Sequence, residues 1–136
     1  MDDTKELLVE ASAKIGRVQY QTIVTSGNHT IIADEPLDLE GMDTGMSPYN
    51  LLLASLASCT AITLRMYIDR KMWVIDEIVI NLQLYKSDQG IFIDSKLSFT
   101  GELNDEQCAR LVTIADACPI HKILVGSIEI STSLQK

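Results

Sequence analysis

The sequence SPYNLLLASLASCTAITLRMYIDRK, residues 47–71, predicts one long helix. Ser47 is a suitable N-cap, and Pro48 suits the first helical position, where the missing backbone N–H is not needed. The first four turns are apolar almost all round, and charge returns only at Arg65. A helix without a polar side is buried in a core or between subunits. We therefore expect a sheet to pack against this helix.

Alternating patterns on either side of the helix predict two pairs of strands. Arg17–Val24 is rich in β-formers, and the turn residues Ser26-Gly27-Asn28 lead to a returning strand at His29–Ile32. Glu77–Lys86 and Ile91–Thr100 each alternate apolar with polar residues. This second pair is typical of an antiparallel hairpin with one solvent-exposed face.

The C-terminal part of the chain predicts two more helices and a last strand. Asn104 and Gln107 resemble a capping box at the start of a helix that ends before Pro119. Pro119–Leu124 is a short further helix, and Ser127–Ser133 is a strand. The order β-β-α-β-β-α-β predicts an α+β fold with a mostly antiparallel sheet. We expect residues 1–136 to form one domain.

Charge and cysteine content argue against several classes of protein. The chain has 136 residues and a formal net charge of -8. An acidic surface repels phosphate backbones, so we expect no nucleic-acid partner. Three cysteines do not fit a disulfide-stapled secreted domain, and the acidic start MDDTKELLVE does not resemble a signal peptide. The apolar run Leu51–Leu64 is too short and too polar to span a membrane. We expect a cytoplasmic protein with reduced thiols.

Cys59 and Cys118 are the residues best suited to covalent chemistry. They lie far apart in the chain, so only folding can pair them. Cys59 is in mid-helix, where no helix-end dipole favours a thiolate, so a reactive Cys59 needs a cation from another segment, such as Arg17. Cys118 precedes Pro119, at the cap of the next helix, where free N–H groups favour a thiolate. The alternative for both is a buried structural thiol.

Other candidate sites have less support. Cys108 lies on the apolar stripe of an ordinary amphipathic helix and is predicted to be structural. Cys118 and His121 have the spacing of one zinc-ligand pair, but no second pair accompanies them, so a zinc site is not expected. The glycines do not match a phosphate-binding fingerprint.

Two segments carry a resemblance to a known family. They are DEPLDLEGMDTGMSPYNLLLASLASCTAITLRMYIDRK, residues 34–71, and LNDEQCARLVTIADACPIHKIL, residues 103–124. Together they resemble the OsmC/Ohr family of osmotically induced and organic hydroperoxide resistance proteins, and most closely its OsmC-like branch. The similarity extends over about residues 13–133.

The resemblance implies an α+β fold in which two subunits intertwine as a homodimer, with long central helices between sheets. It implies that Cys59 attacks an organic hydroperoxide and becomes a sulfenic acid, with which Cys118 forms a disulfide. A dithiol reductant, such as a lipoylated protein, restores the thiols in oxidative-stress defence, with neither a metal nor an organic cofactor. From residue type we infer an apolar pocket for the peroxide, built by Leu52, Leu56 and Met66.

The chain departs from the family next to the helix start. Peroxidase members have a glutamate just after the helix-starting proline, where it holds an arginine from an early strand. Here the stretch is Pro48-Tyr49-Asn50, and Arg17 lies roughly where that arginine falls. Asn50 can hydrogen-bond but cannot fix an arginine by charge. Asp34 or Glu35 is a substitute if the loop folds over the site.

Two alternative functions stay open because of this departure. One is a dimer that binds a small apolar ligand or a partner and has inert cysteines. The other is a dimeric scaffold in which the cysteines only pack.

Overall fold

Short strands, one long helix and a long hairpin alternate along the computed structural model, which describes residues 5–135. All strand pairs in the two sheets are antiparallel, so the predicted α+β class is confirmed. The elements are β1 (Ser12–Ile15), β2 (Thr22–Ser26), β3 (His29–Ala33), a 3-10 helix (Leu37–Leu39), α1 (Pro48–Arg70), β4 (Ile75–Ser87), β5 (Gly90–Gly101), α2 (Asp105–Ala115) and α3 (Pro119–Val125). The chain forms two compact units that divide between Leu52 and Leu53. Our assignment of one domain stays a prediction.

A three-stranded sheet in the order β1-β2-β3 forms most of the first unit. The hairpin between β2 and β3 turns at Gly27, whose φ of 60° suits a residue without a Cβ. The predicted strand over Arg17–Val24 is wrong in its first half, because β2 begins only at Thr22. β1 at Ser12–Ile15 was not predicted. β-propensity describes how well a residue fits a pleated surface, and it does not say which segment finds a partner strand.

The long helix α1 has the predicted boundaries to within one residue. The Ser47 hydroxyl accepts a hydrogen bond from the Asn50 N–H at 3.3 Å, which confirms Ser47 as a cap. The helix buries one stripe at four-residue spacing: Leu56, Thr60, Leu64 and Ile68. Its opposite side is not buried within this chain, since Ile62 and Met66 are exposed.

The apolar run Leu51–Leu64 is only the central part of α1, which has 23 residues. By length and composition alone this helix is able to cross a membrane, but the core helix of a soluble protein passes the same test. The expectation that the protein has no membrane partner therefore stays a prediction.

The hairpin of β4 and β5 provides the sheet of the second unit. Its register pairs Ile75 with Gly101 at one end and Ser87 with Gly90 at the turn. The predicted inward face of β4 is confirmed, because four alternate side chains are half-buried: Ile78, Ile80, Leu82 and Leu84. On β5 the prediction fails for Ile91, which is exposed near the turn.

The core of the second unit lies where α1 and α2 meet this hairpin. Its buried members are Leu64, Ile68, Ile75, Leu111 and Ala115. The predicted capping box of α2 is confirmed: the Asn104 side chain accepts from the Gln107 N–H at 2.7 Å, and the Gln107 side chain accepts from the Asn104 N–H at 2.9 Å. This cap fixes the start of the helix that leads to Cys118.

The predicted last strand over Ser127–Ser133 is wrong for this chain. Residues 127–135 form neither helix nor strand, and they are exposed along their length. Ile128, Ile130 and Leu134 are among the exposed apolar side chains. An alternating sequence becomes a strand only where another strand accepts its hydrogen bonds, and residues 5–135 do not offer this segment such a strand.

Candidate functional site

Cys59 and Cys118 lie in the same unit, and folding brings their side chains together. Cys59 is carried by α1, and Cys118 is the residue that precedes α3. Each thiol shifts the pKa of the other, so the two side chains are neighbours, and neither cysteine is in a disulfide. The structure therefore places next to each other two thiols that are remote in the sequence.

Cys118 is fully buried and sits at the N-cap of α3, as the sequence predicted. Pro119 fixes the first helical position, so the N–H groups of the following residues are not used within the helix. Burial raises the pKa of the Cys118 thiol, but the Cys59 thiol and the nearby N–H groups of His121 and Ile120 outweigh this effect. The net result is a lowered pKa for Cys118.

Cys59 is only partly buried, and its environment acts in the opposite direction. Burial raises the pKa of the Cys59 thiol, and both the hydrogen bond with Cys118 and the charge of Cys118 raise it further. The Ile120 N–H and the Thr63 hydroxyl lower it, but they do not reverse the direction. Cys59 is therefore the more accessible sulfur of the pair, and Cys118 is the more acidic one.

Thr60 joins the helix that carries Cys59 to the sulfur of Cys118. Its hydroxyl is buried and donates to the Leu56 carbonyl at 2.9 Å, and the side chain also lies beside Cys118. Thr60 was not among the residues predicted for the site. Its four-residue spacing from Leu56 and Leu64 marks the buried face of α1, and a hydroxyl on that face needs a partner.

Two ionisable side chains, Asp116 and His121, flank Cys118 in the sequence. The His121 Nδ1 lies 3.8 Å from the Asp116 carboxylate, and both side chains are at least partly exposed. Among the described residues, no cluster of three His, Cys, Asp or Glu side chains has the geometry to hold a metal ion. Cys108 lies in α2 and is exposed, so it is not part of the pair.

Arg17 and Asn50 were the other two residues predicted for the site. Both lie in the first unit, and both side chains are exposed. Asn50 contributes its backbone N–H to the helix cap, as described above. The roles of Arg17 and Asn50 beside the thiols stay predictions.

The three apolar side chains predicted to build a pocket do not share one environment. Leu56 is buried, whereas Leu52 and Met66 are exposed. Within the second unit, Met66 lines a groove of about 500 Å³ between α1 and β4. Its lining is apolar at Ala61, Ile62, Met66 and Ile78, and charged at Arg65, Asp76 and Glu77.

Asp34, which we considered as a substitute acid, has a different role. Its carboxylate is buried at 2 % exposure and accepts five hydrogen bonds from within the first unit. The donors are the N–H groups of Tyr20, Glu35, Met42 and Thr44, and the Thr44 hydroxyl. We call this arrangement the Asp34 cradle.

The Asp34 cradle folds the loop between β3 and α1 tightly against its own start. A Cβ at Gly41 would overlap the Glu35 carbonyl, and one at Gly45 would overlap the Ile32 carbonyl. Two glycines after a strand-ending aspartate were the sequence signal for this loop. The two glycines predict that backbone segments approach closely in this loop, but they do not predict that the Asp34 carboxylate accepts its hydrogen bonds.

Comparison with known proteins agrees with this fold. The OsmC-like protein family matches residues 41–133. A solved OsmC-like protein from Mycoplasma pneumoniae has a TM-score of 0.74 and 20% identity, over 92% of this chain and 90% of its own. The organic hydroperoxide resistance protein OhrB of Bacillus subtilis has a TM-score of 0.59 and 26% identity, over 88% and 92% of the two chains.

A third solved structure, the organic hydroperoxide resistance protein OsmC from Legionella pneumophila, has a TM-score of 0.62 and 22% identity, over 90% of this chain and 93% of its own. A comparison with curated proteins gives no significant match. The family match covers more than half of the sequence and includes both Cys59 and Cys118. The chain belongs to the OsmC-like protein family.

Proposed function

We propose that this protein is a thiol peroxidase that reduces organic hydroperoxides in oxidative-stress defence. The observation that carries the proposal is the proximity of the Cys59 and Cys118 side chains, which are remote in the sequence and each of which shifts the pKa of the other. Two solved relatives of the same fold are named organic hydroperoxide resistance proteins, which supports the substrate class.

The proposed reaction uses both sulfurs. The Cys59 sulfur attacks the terminal oxygen of the hydroperoxide, the O–O bond breaks, and an alcohol leaves. Cys59 becomes a sulfenic acid, and the Cys118 sulfur displaces its oxygen as water to form a disulfide. A dithiol such as a lipoylated protein then reduces the disulfide by thiol exchange.

Cys59 is the attacking sulfur in this proposal because it is the accessible one. Cys118 is fully buried, so a peroxide that approaches from solvent meets Cys59 first. Arg17 and Asn50 are proposed to orient the peroxide, as the resemblance implies. Neither a metal nor an organic cofactor is needed for this chemistry.

Exposed apolar surface supports the proposal that the protein works as a homodimer. Ile62 and Met66 are exposed on α1, and Ile128 and Ile130 are exposed in the C-terminal segment. Contiguous apolar surface on a soluble protein commonly marks an interaction site. We propose a cytoplasmic location, where cellular reductants keep unpaired thiols reduced.

The test is a single-turnover reaction with one equivalent of cumene hydroperoxide, read by mass spectrometry. The reduced protein should lose two hydrogen atoms, form a Cys59–Cys118 cross-link and release cumyl alcohol. Cys59→Ser should abolish alcohol formation, and Cys118→Ser should stop at a sulfenic acid that a dimedone probe captures. Cys108→Ser is the matched control and should behave like the unmodified chain.

The proposal is wrong if Cys59→Ser still yields cumyl alcohol at the normal rate, or if only Cys108→Ser abolishes it. A Cys59 that is oxidised without a cross-link to Cys118 would leave a one-cysteine peroxidase and remove the disulfide step.

A second candidate function is a non-catalytic dimer that binds a small apolar ligand. Asn50 in place of a glutamate and the raised pKa of Cys59 favour it, because a protonated thiol is a poor nucleophile. Under this alternative the protein consumes no hydroperoxide, and an apolar fluorescent ligand binds equally well to the unmodified chain and to Cys59→Ser. This alternative is excluded if the unmodified chain consumes peroxide and Cys59→Ser does not.

A further inference from the structure

Two cations and a tryptophan lie around Tyr67, a half-buried residue of α1 in the second unit. The Arg110 Nε donates a hydrogen bond to the Tyr67 hydroxyl at 3.0 Å. The Lys71 Nζ lies 5.6 Å from the centroid of the Tyr67 ring, and the Arg110 Cζ lies 5.8 Å from it. The Trp73 ring is nearly perpendicular to the same ring, with centroids 5.7 Å apart. Both cations are therefore within the range at which an aromatic ring attracts a positive charge.

Both cations lack a carboxylate partner within residues 5–135, although the chain has 19 aspartates and glutamates and only 11 lysines and arginines. Asp69, the nearest acid along α1, pairs with Arg65 instead at 3.4 Å. Lys71 and Arg110 are both exposed. Apart from Nε–H, the N–H groups of the Arg110 guanidinium make no hydrogen bond within the same range of residues. Their planar arrangement suits a carboxylate held by two parallel hydrogen bonds.

The end of α1 explains why Tyr67 and Trp73 meet. Met72 has a φ of 60°, in the left-handed region, and its N–H donates to the Asp69 carbonyl at 3.0 Å. The Trp73 N–H donates to the Ile68 carbonyl at 3.1 Å. This pair of hydrogen bonds is a Schellman motif, in which an apolar residue after the turn packs against the last turn of the helix. The turn after α1 is therefore fixed by backbone hydrogen bonds.

Met72 occupies the left-handed position of this motif, where glycine is usual. A residue with a Cβ strains the backbone there. The Met72 residue is 84% exposed, and Val74 two residues later is 82% exposed. Packing within the chain does not offset the strain, because the Met72 side chain contacts solvent. The use of a methionine at this position is therefore to be sought at the surface.

We propose that this surface of the second unit docks an acidic segment of a partner protein. We call the surface the Tyr67 patch, and its members are Tyr67, Lys71, Met72 and Arg110. The two cations bind carboxylates of the segment, and Met72 contacts an apolar side chain beside them. The proposal goes beyond the peroxidase function and does not depend on it.

Charge and composition favour an acidic protein segment over other occupants of the Tyr67 patch. In a two-fold contact, the same patch of a second copy would bring like charges together. A nucleic acid is repelled by a chain with a formal net charge of -8. A short segment brings a few carboxylates to the two cations, and the flexible Met72 side chain adapts to the apolar residue that accompanies them.

The first test measures binding of a short fluorescent peptide of glutamate, leucine and glycine by anisotropy. We expect the unmodified chain to bind this peptide, and Arg110→Gln and Lys71→Gln each to weaken the affinity by roughly fivefold or more. Lys86→Gln is the matched control, because it removes the same charge from an exposed position of β4 in the same unit. This control should bind like the unmodified chain. Far-ultraviolet circular dichroism checks that each variant is folded.

The proposal is overturned if the unmodified chain does not bind the peptide, or if glutamine in place of the peptide's glutamates leaves the affinity unchanged. Equal weakening by Lys86→Gln would also overturn it, because the attraction would then not come from the Tyr67 patch. If Arg110→Gln converts a dimer into a monomer in sedimentation velocity, a second copy occupies the patch, and the proposal is again wrong.

The second test separates docking from folding at Met72. Met72→Gly relieves the strain of the left-handed position, so we expect the thermal midpoint to rise. The same variant should bind the acidic peptide more weakly, by roughly twofold or more, because an apolar contact is lost. A fall in the midpoint would mean that Met72 stabilises the fold itself. That result, or binding equal to that of the unmodified chain, overturns the proposal.

Discussion

Asp34 in the first unit and Cys118 in the second are both buried acids, but the two environments use hydrogen bonds differently. The Thr44 hydroxyl lowers the pKa of Asp34 most, burial raises it, and three backbone N–H groups lower it further. None of these donors gives up its proton near neutral pH. Cys118 has one partner, Cys59, that does titrate. Similar contacts therefore hold a fixed negative charge on Asp34, whereas the thiol pair keeps a proton that can exchange.

The largest loss of stability is expected from removing the Asp34 carboxylate. Asp34→Ala leaves the buried donors of the Asp34 cradle without an acceptor, and such unpaired groups are strongly destabilising. We expect the thermal midpoint to fall by roughly 10 °C, and proteolysis between residues 35 and 46 to become faster. Asp38→Ala, at an exposed position in the same loop, is the control. Equal midpoints for the two variants would mean that the cradle does not hold the loop.

A smaller loss of stability is expected from protonating the Asp34 carboxylate. Because the folded pKa of Asp34 is lowered, its contribution to stability is complete above the ordinary carboxyl pKa of about 4 and is lost as pH falls below that value. We expect the free energy of unfolding to fall more steeply below pH 4 in the unmodified chain than in Asp34→Asn. Denaturant titrations at a series of pH values measure both slopes. Parallel slopes would show that Asp34 does not contribute.

The smallest effect is expected from the thiol pair, where two opposite contributions partly cancel. The lowered pKa of Cys118 adds stability as pH rises toward the ordinary thiol value of about 8.5. The raised pKa of Cys59 removes stability as pH rises above that value. Under reducing conditions we expect a shallow maximum of stability near pH 8.5. Cys118→Ala should remove the rise, and Cys59→Ala should remove the fall.

A monotonic curve in the unmodified protein would contradict this assignment of the two shifts. Cys108→Ser should leave the maximum in place, because Cys108 is exposed and does not contribute to the pKa shift of either thiol.

Features with local causes were predictable from the sequence. The Ser47 cap, the capping box at Asn104 and the proline that begins α3 depend on residues within one turn of each other, and all three are confirmed. The hairpin β4–β5 was also predictable, because its strands adjoin a short turn and alternate cleanly. In each case the interacting residues all lie within the segment whose structure they determine.

Features that depend on a distant partner were not predictable. The alternation in Ser127–Ser133 predicts a strand, but no described segment pairs with it. The sequence suggests Asp34 only as a substitute acid, since its donors at Tyr20 and Thr44 are separated from it by 14 and 10 residues. Both cysteines were identified from the sequence, but their contact with Thr60 and with each other required the fold.

The full burial of Cys118 also decides how an oxidised molecule would be repaired. Once a Cys59–Cys118 disulfide forms, an incoming reductant reaches only the sulfur of Cys59, because the other is enclosed. Attack there makes Cys118 the leaving group, and the more acidic thiol leaves faster. Regeneration would then pass through a mixed disulfide at one defined position, with the reductant held at the outer sulfur until a second thiol frees it.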